Sequence, residues 1–122
     1  MTLRLMSSGH RVWVYNRTRS KLKSLELAGA NACATPEEVV NNTEAIILMV
    51  TNADAIHSLL LADGEANSQA DSAIPLAEKT IIQMGTIAPA ESRALHHDFY
   101  QAGATYLEAP VLGSIPEAKN GN

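Results

Sequence analysis

A single cysteine, Cys33, rules out an internal disulfide and any multi-cysteine metal centre, and it fits a reducing compartment. Set in Asn31-Ala32-Cys33-Ala34, it reads as a small buried strand residue rather than a nucleophile. Basic excess is missing too: the formal net charge is −4, so the stripe of positive charge that nucleic-acid binders carry is not expected. Long apolar runs are absent. The longest, 45–50, is far too short to cross a bilayer, and the N-terminus has no apolar run of signal-peptide length. The expected location is cytoplasmic, with neither a membrane nor a nucleic acid as partner. No internal repeat, low-complexity tract or acidic cluster at strand ends is present, and the last of these is what a receiver-like signalling domain needs. No metal site is expected either. His96 and His97 are adjacent on a predicted helix, so they point in different directions, and no carboxylate stands at ligand spacing on the same face.

At 122 residues, 46% hydrophobic and 18% charged, the chain has the make-up of an ordinary globular domain or part of one. Its most informative stretch is Val12-Trp13-Val14-Tyr15-Asn16-Arg17-Thr18, an apolar β-type run stopping at three polar residues before a helical pattern. In open α/β sheets ligands bind at the C-terminal ends of strands. There Asn16, Arg17 and Thr18 offer an amide, a guanidinium fork and a hydroxyl, which suit a ribose carrying a phosphate, with no carboxylate to repel it. The competing reading makes them a solvated turn that caps the next helix.

Taken in order, the chain begins inside a helix that Gly9 ends, followed by a strand over 11–16 and a helix over 19–28 with Leu22 and Leu25 on one face. A short strand covers 30–34. Thr35-Pro36-Glu37-Glu38 then starts a helix ending near Asn42, with Thr35 as cap and Glu38 at the capping-box position. The nearly unbroken apolar run 44–50 reads as the central strand, covered on both faces. Asn52 caps a helix bearing Ile56, Leu59 and Leu60, and 62–78 is a polar connector with a helical turn around 73–77. A strand over 80–84, a helix from Pro89 to about Ala102 with Leu95, Phe99 and Ala102 inward, and a strand over 105–108 follow. The remainder is loop, with a helix start at Pro116-Glu117-Ala118. Such strict alternation predicts an α/β fold with a parallel sheet and right-handed crossovers. Trp13 and Met49 are expected in the core, and Glu108 is expected to accept a backbone hydrogen bond or line a cleft.

Several pieces, in one order, resemble the β-hydroxyacid dehydrogenase family, which includes hydroxyisobutyrate dehydrogenase, glyoxylate and succinic semialdehyde reductases and the cofactor domain of phosphogluconate dehydrogenase. They are Gly9-His10 leading into Val14-Tyr15-Asn16-Arg17-Thr18, Gly29-Ala30, Pro36-Glu37-Glu38, Leu48-Met49-Val50, Gly85-Thr86-Ile87-Ala88-Pro89, Gly103-Ala104 and Glu108-Ala109-Pro110-Val111-Leu112-Gly113. The resemblance implies a Rossmann-type, doubly wound parallel sheet with strand order 3-2-1-4-5-6, of which this chain carries strands two to six. It also implies that the first strand and the glycine-rich turn lie outside the sequence, Met1 falling in the helix after that turn. The loss of a middle strand is expected to leave its two neighbours with unpaired backbone groups.

The implied activity is hydride transfer between NADP, with NAD the less favoured cofactor, and a small hydroxy acid or its aldehyde or keto partner. Asn16, Arg17 and Thr18 would select the adenosine phosphate; Val50, Thr51 and Asn52 would flank the adenosine and its ribose; and Thr86 would approach the nicotinamide. Leu112, Gly113 and Ser114 would face the substrate, where most members have Ser-Gly-Gly for its carboxylate. The family's catalytic lysine and its helical dimerisation domain lie beyond residue 122, so no catalytic residue is assigned and homo-oligomers are expected only of a full-length protein. The alternative is a non-catalytic truncated product, or a nucleotide-binding module that needs a partner chain.

Overall fold

A computed structural model describes residues 1–61 and 74–121. By contacts it divides into two compact units, Met1–Val39 with Leu112–Asn122, and Val40–Val111. Both are built from β-strand, helix, β-strand repeats with parallel pairing throughout.

In the first unit, α1 (Thr2–Ser7) is followed by β1 (Trp13–Val14), a 3₁₀ turn (Arg19–Leu22) running into α2 (Lys23–Leu27), and β2 (Asn31–Ala32). The expected 19–28 helix is therefore tightened in its first half. No side chain caps its start, and Leu22 is the buried residue that anchors it. β1 and β2 form a two-stranded sheet, with Trp13 opposite Asn31 and Val14 opposite Ala32. Cys33 is buried beside it as a free thiol, and desolvation raises its pKa. The guanidinium of Arg11 lies over the Trp13 ring at 4.9 Å, so the half-buried indole packs against a cation. α3 (Pro36–Asn42) starts as expected, with the Glu38 N–H donating to Thr35 Oγ1 at 3.2 Å. α6 (Ile115–Asn120) packs against α1.

The second unit holds a three-stranded sheet in the order β3 (Ala45–Leu48), β4 (Thr80–Gln83), β5 (Thr105–Glu108). Its helices are α4 (Ala53–Leu60) and α5 (Pro89–Gln101). They bury one face of the sheet: Ile46, Leu48 and Ile81 join Ile56 and Leu60 of α4 and Leu95 and Phe99 of α5 in one core. Phe99 and Ile81 are completely buried. Ala102, expected on that face of α5, is instead its exposed C-cap.

The 44–50 run is where the structure corrects the sequence reading. β3 is an edge strand, and β4 is the middle one. Only alternate residues of β3 are buried; Ile47 is 38% and Met49 56% exposed, so Met49 is not core. A continuous apolar run cannot by itself distinguish a strand covered on two faces from one covered on a single face. The strands also fall into two sheets rather than one, and the break comes where the family order puts the first strand, leaving 3-2 and 4-5-6 as separate sets. Within each set the pairing is as expected. The connector expected over 62–78 lies outside the described residues over 62–73, as does the start of its helical turn; 74–79 has no regular element, with Leu76 buried. No described helix is long and apolar enough to cross a membrane.

Candidate functional site

In the first unit, the polar trio follows β1 as a tight turn. The Thr18 N–H donates to Asn16 Oδ1 at 2.9 Å, so the Asn16 side chain is used locally to shape the turn. Thr18 stands at the N-cap of the 3₁₀ turn but its hydroxyl makes no capping bond, which leaves it available. All three residues are exposed. Arg19 is tied to Glu26 at 3.6 Å, whereas no described carboxylate pairs with Arg17. The turn thus engages one guanidinium and presents the other to solvent at a strand's C-terminal end.

In the second unit the other expected cofactor residues cluster at the C-terminal ends of β3 and β4. Val50 is half-buried against the core, and exposed Thr51 leads to Asn52, whose Oδ1 accepts from the Ala55 N–H at 2.9 Å to cap α4. Thr86 is exposed just before α5. Gly85 lies so close to the end of β3 that a β-carbon there would meet the Val50 carbonyl oxygen at 3.1 Å and Gln83 Nε2 at 3.2 Å. A side chain would therefore crowd the C-terminal ends of these two strands, the side of an open α/β sheet on which ligands bind.

Beneath the start of α5 is a polar layer that the sequence did not single out. The buried Ser92 hydroxyl donates to Glu108 Oε2 at 2.7 Å and stands 3.2 Å from the Tyr106 hydroxyl. An unsatisfied buried hydroxyl costs about 1–3 kcal/mol, which explains the pairing. Glu108 thus accepts from a serine side chain and not from the backbone group expected of it. Desolvation raises the Tyr106 pKa despite the Ser92 bond. Gln83, opposite Glu108 in the sheet, completes the layer; its Oε1 is buried with no partner among the described residues. Only the spacing of Ser92 from Leu95 and Phe99 on one face of α5 hinted at this. His96 and His97 are both exposed.

The last group, Leu112, Gly113 and Ser114, precedes α6 in the first unit. Leu112 is fully exposed, while the Ser114 N–H and hydroxyl both donate to Glu117 Oε2, at 2.7 and 2.6 Å. Sequence reading missed Glu117, although Ser114 and Glu117 have capping-box spacing.

Residues 1–122 match the family model described as the NAD binding domain of 6-phosphogluconate dehydrogenase. The chain belongs to that family. Curated proteins that it resembles include the cytokine-like nuclear factor N-PAC of Aedes aegypti, 29% identical over 121 residues, with 99% of this chain and 21% of the relative covered. Another is glyoxylate/succinic semialdehyde reductase 1 of Arabidopsis thaliana, 30% identical over 121 residues, covering 99% of this chain and 40% of the relative. Among solved structures, a putative oxidoreductase from Pseudomonas putida KT2440 superposes with a TM-score of 0.81 at 26% identity, covering 95% of this chain and 38% of that one. The chain therefore has a Rossmann-type α/β fold and spans less than half of each of these relatives.

Proposed function

We propose that residues 1–122 are a portion of the cofactor domain of an NADP-dependent oxidoreductase of the β-hydroxyacid dehydrogenase type. Its reaction moves a hydride between the nicotinamide and a small hydroxy acid or its aldehyde or keto partner. The observation that carries the choice of NADP over NAD is the exposed Arg17 guanidinium, unpaired among the described residues while its neighbour Arg19 is tied to Glu26. A guanidinium recognises phosphate oxygens bidentately, and the free Thr18 hydroxyl supplies a further donor. Asn16 shapes the turn that presents them. Val50, Thr51 and Asn52 flank the adenosine and its ribose, and Thr86 approaches the nicotinamide. When bound, the nicotinamide supplies the hydride chemistry; the protein contributes orientation and exclusion of water. The free, buried thiol of Cys33 supports a reducing, cytoplasmic setting, and a full-length homo-oligomer completes the reading.

A thermal melt of the chain, alone and with saturating NADPH or NADH, tests this. A ligand at 100 times its dissociation constant stabilises a folded binder by about 2.7 kcal/mol, a shift on the order of 10 °C for this size. The expected result is a cooperative melt raised by NADPH and raised less by NADH. A melt indifferent to both would remove the cofactor reading and favour the non-catalytic alternative.

A further inference from the structure

Among the described strands β5 pairs only with β4, so its other edge is open. The Thr105 N–H donates to the Lys79 carbonyl at 2.9 Å and the Ala109 N–H to the Gln83 carbonyl at 2.8 Å. Backbone groups alternate in direction along a strand, so Thr105, Leu107 and Ala109 turn toward β4, while the N–H and C=O of Tyr106 and Glu108 turn outward. No described group bonds them. Neither lysine nor proline guards this edge over 105–108. Two surfaces flank it. On one face Leu107 is 51% exposed. On the other, a groove of about 530 Å³ between β5 and α5 is lined by Ser92, Arg93, His96, Tyr106 and Glu108. Ser92 gives its proton to Glu108 Oε2, so Glu108 Oε1 has no described partner, and no described carboxylate pairs with Arg93.

We propose that the edge of β5 is a self-association surface, and that its occupant is β5 of a second copy of this chain, paired antiparallel with Leu107 opposite the partner's Leu107. One register satisfies every outward group. With a two-fold axis at Leu107, Tyr106 and the partner's Glu108 form a hydrogen-bonded pair, and Glu108 and the partner's Tyr106 form another, each exchanging both N–H···O bonds. The exposed leucines then meet as a non-hydrogen-bonded pair, with Cα atoms about 4.5 Å apart. Centring on Tyr106 instead sets Glu108 against the partner's Ala104, a residue whose N–H already donates to the Phe99 carbonyl at 2.9 Å. Centring on Glu108 opposes two carboxylates. The Leu107 register also matches charge. It brings the partner's Glu108 beside Tyr106 on the α5 face, where the groove holds the unpaired Arg93 guanidinium.

Sedimentation of the full chain over a concentration series tests this, with circular dichroism checking that each variant is folded. A four-residue edge makes a small contact, so a reversible monomer–dimer equilibrium is expected. Leu107→Lys sets like charges face to face and weakens the dimer about tenfold. Arg93→Ala weakens it about threefold, at low salt only. Ile47→Lys, the same change on the edge of β3, leaves it in place. Leu107→Cys, a milder variant, gives a disulfide-linked dimer on oxidation, because the paired Cα atoms lie within bridging range. Thr105→Cys, and the parent with its buried Cys33, do not cross-link. A chain monomeric at every concentration, association that Ile47→Lys abolishes and Leu107→Lys spares, or cross-linking by Thr105→Cys in place of Leu107→Cys would each overturn the inference. No cofactor enters the test, so its failure leaves the NADP reading where it stands.

Discussion

Phe99→Ala is expected to destabilise the chain by about 3–5 kcal/mol, the range for removing a large aromatic ring from a close-packed core. Phe99 is completely buried, and its ring stacks on Tyr106 with centroids 5.6 Å apart and planes 14° from parallel. With Leu95 it carries α5 into the shared core of β3, β4 and α4. Native domains have a margin of only about 5–15 kcal/mol, so the loss removes a large part of it. Calorimetry should show the melting temperature lowered by roughly 10–25 °C. Phe99→Leu, which keeps most of the volume, should cost clearly less. A Phe99→Ala protein melting within about 2 °C of the parent would mean that the α5 packing contributes little, contrary to the magnitude expected for a fully buried ring.

Arg17→Ala is expected to weaken NADPH binding by about 10- to 100-fold and to leave NADH binding nearly unchanged, the scale of losing one charge-assisted contact to phosphate. Titration of both cofactors against parent and variant measures the ratio. Arg19→Ala is the matched control. Its guanidinium is tied to Glu26 at 3.6 Å, so removing it should leave the NADPH to NADH ratio in place. Equal losses for the two cofactors on Arg17→Ala would assign Arg17 to general charge attraction and remove it as the selector.

The sequence revealed most where a local rule acts alone. The Thr35-Pro36-Glu37-Glu38 start, the Asn52 cap, the Pro89 start and the 105–108 strand all appear in the structure where short-range chemistry placed them. It revealed least where tertiary surroundings decide. The 44–50 run has the composition of a strand buried on both faces, yet its position in the sheet is set by which strands pair, and no residue in the run encodes that. Met49 was misplaced for the same reason. The Ser92 and Glu108 pair lies 16 residues apart in sequence and becomes visible only once α5 crosses β5. The Ser114 and Glu117 pair was locally readable, because a serine and a glutamate three residues apart form a recognisable helix start.

The edge position of β3 limits how concentrated a solution of this chain can be. Strand edges in soluble proteins are commonly blunted by lysine, proline or a bulge, and 45–48 has only Ala, Ile, Ile and Leu. What keeps copies apart is their mutual repulsion, which a net charge of −4 supplies only weakly. Acidification towards the sequence pI of about 5.5 removes that charge, so the solubility ceiling should fall as the pH drops from neutral to that value.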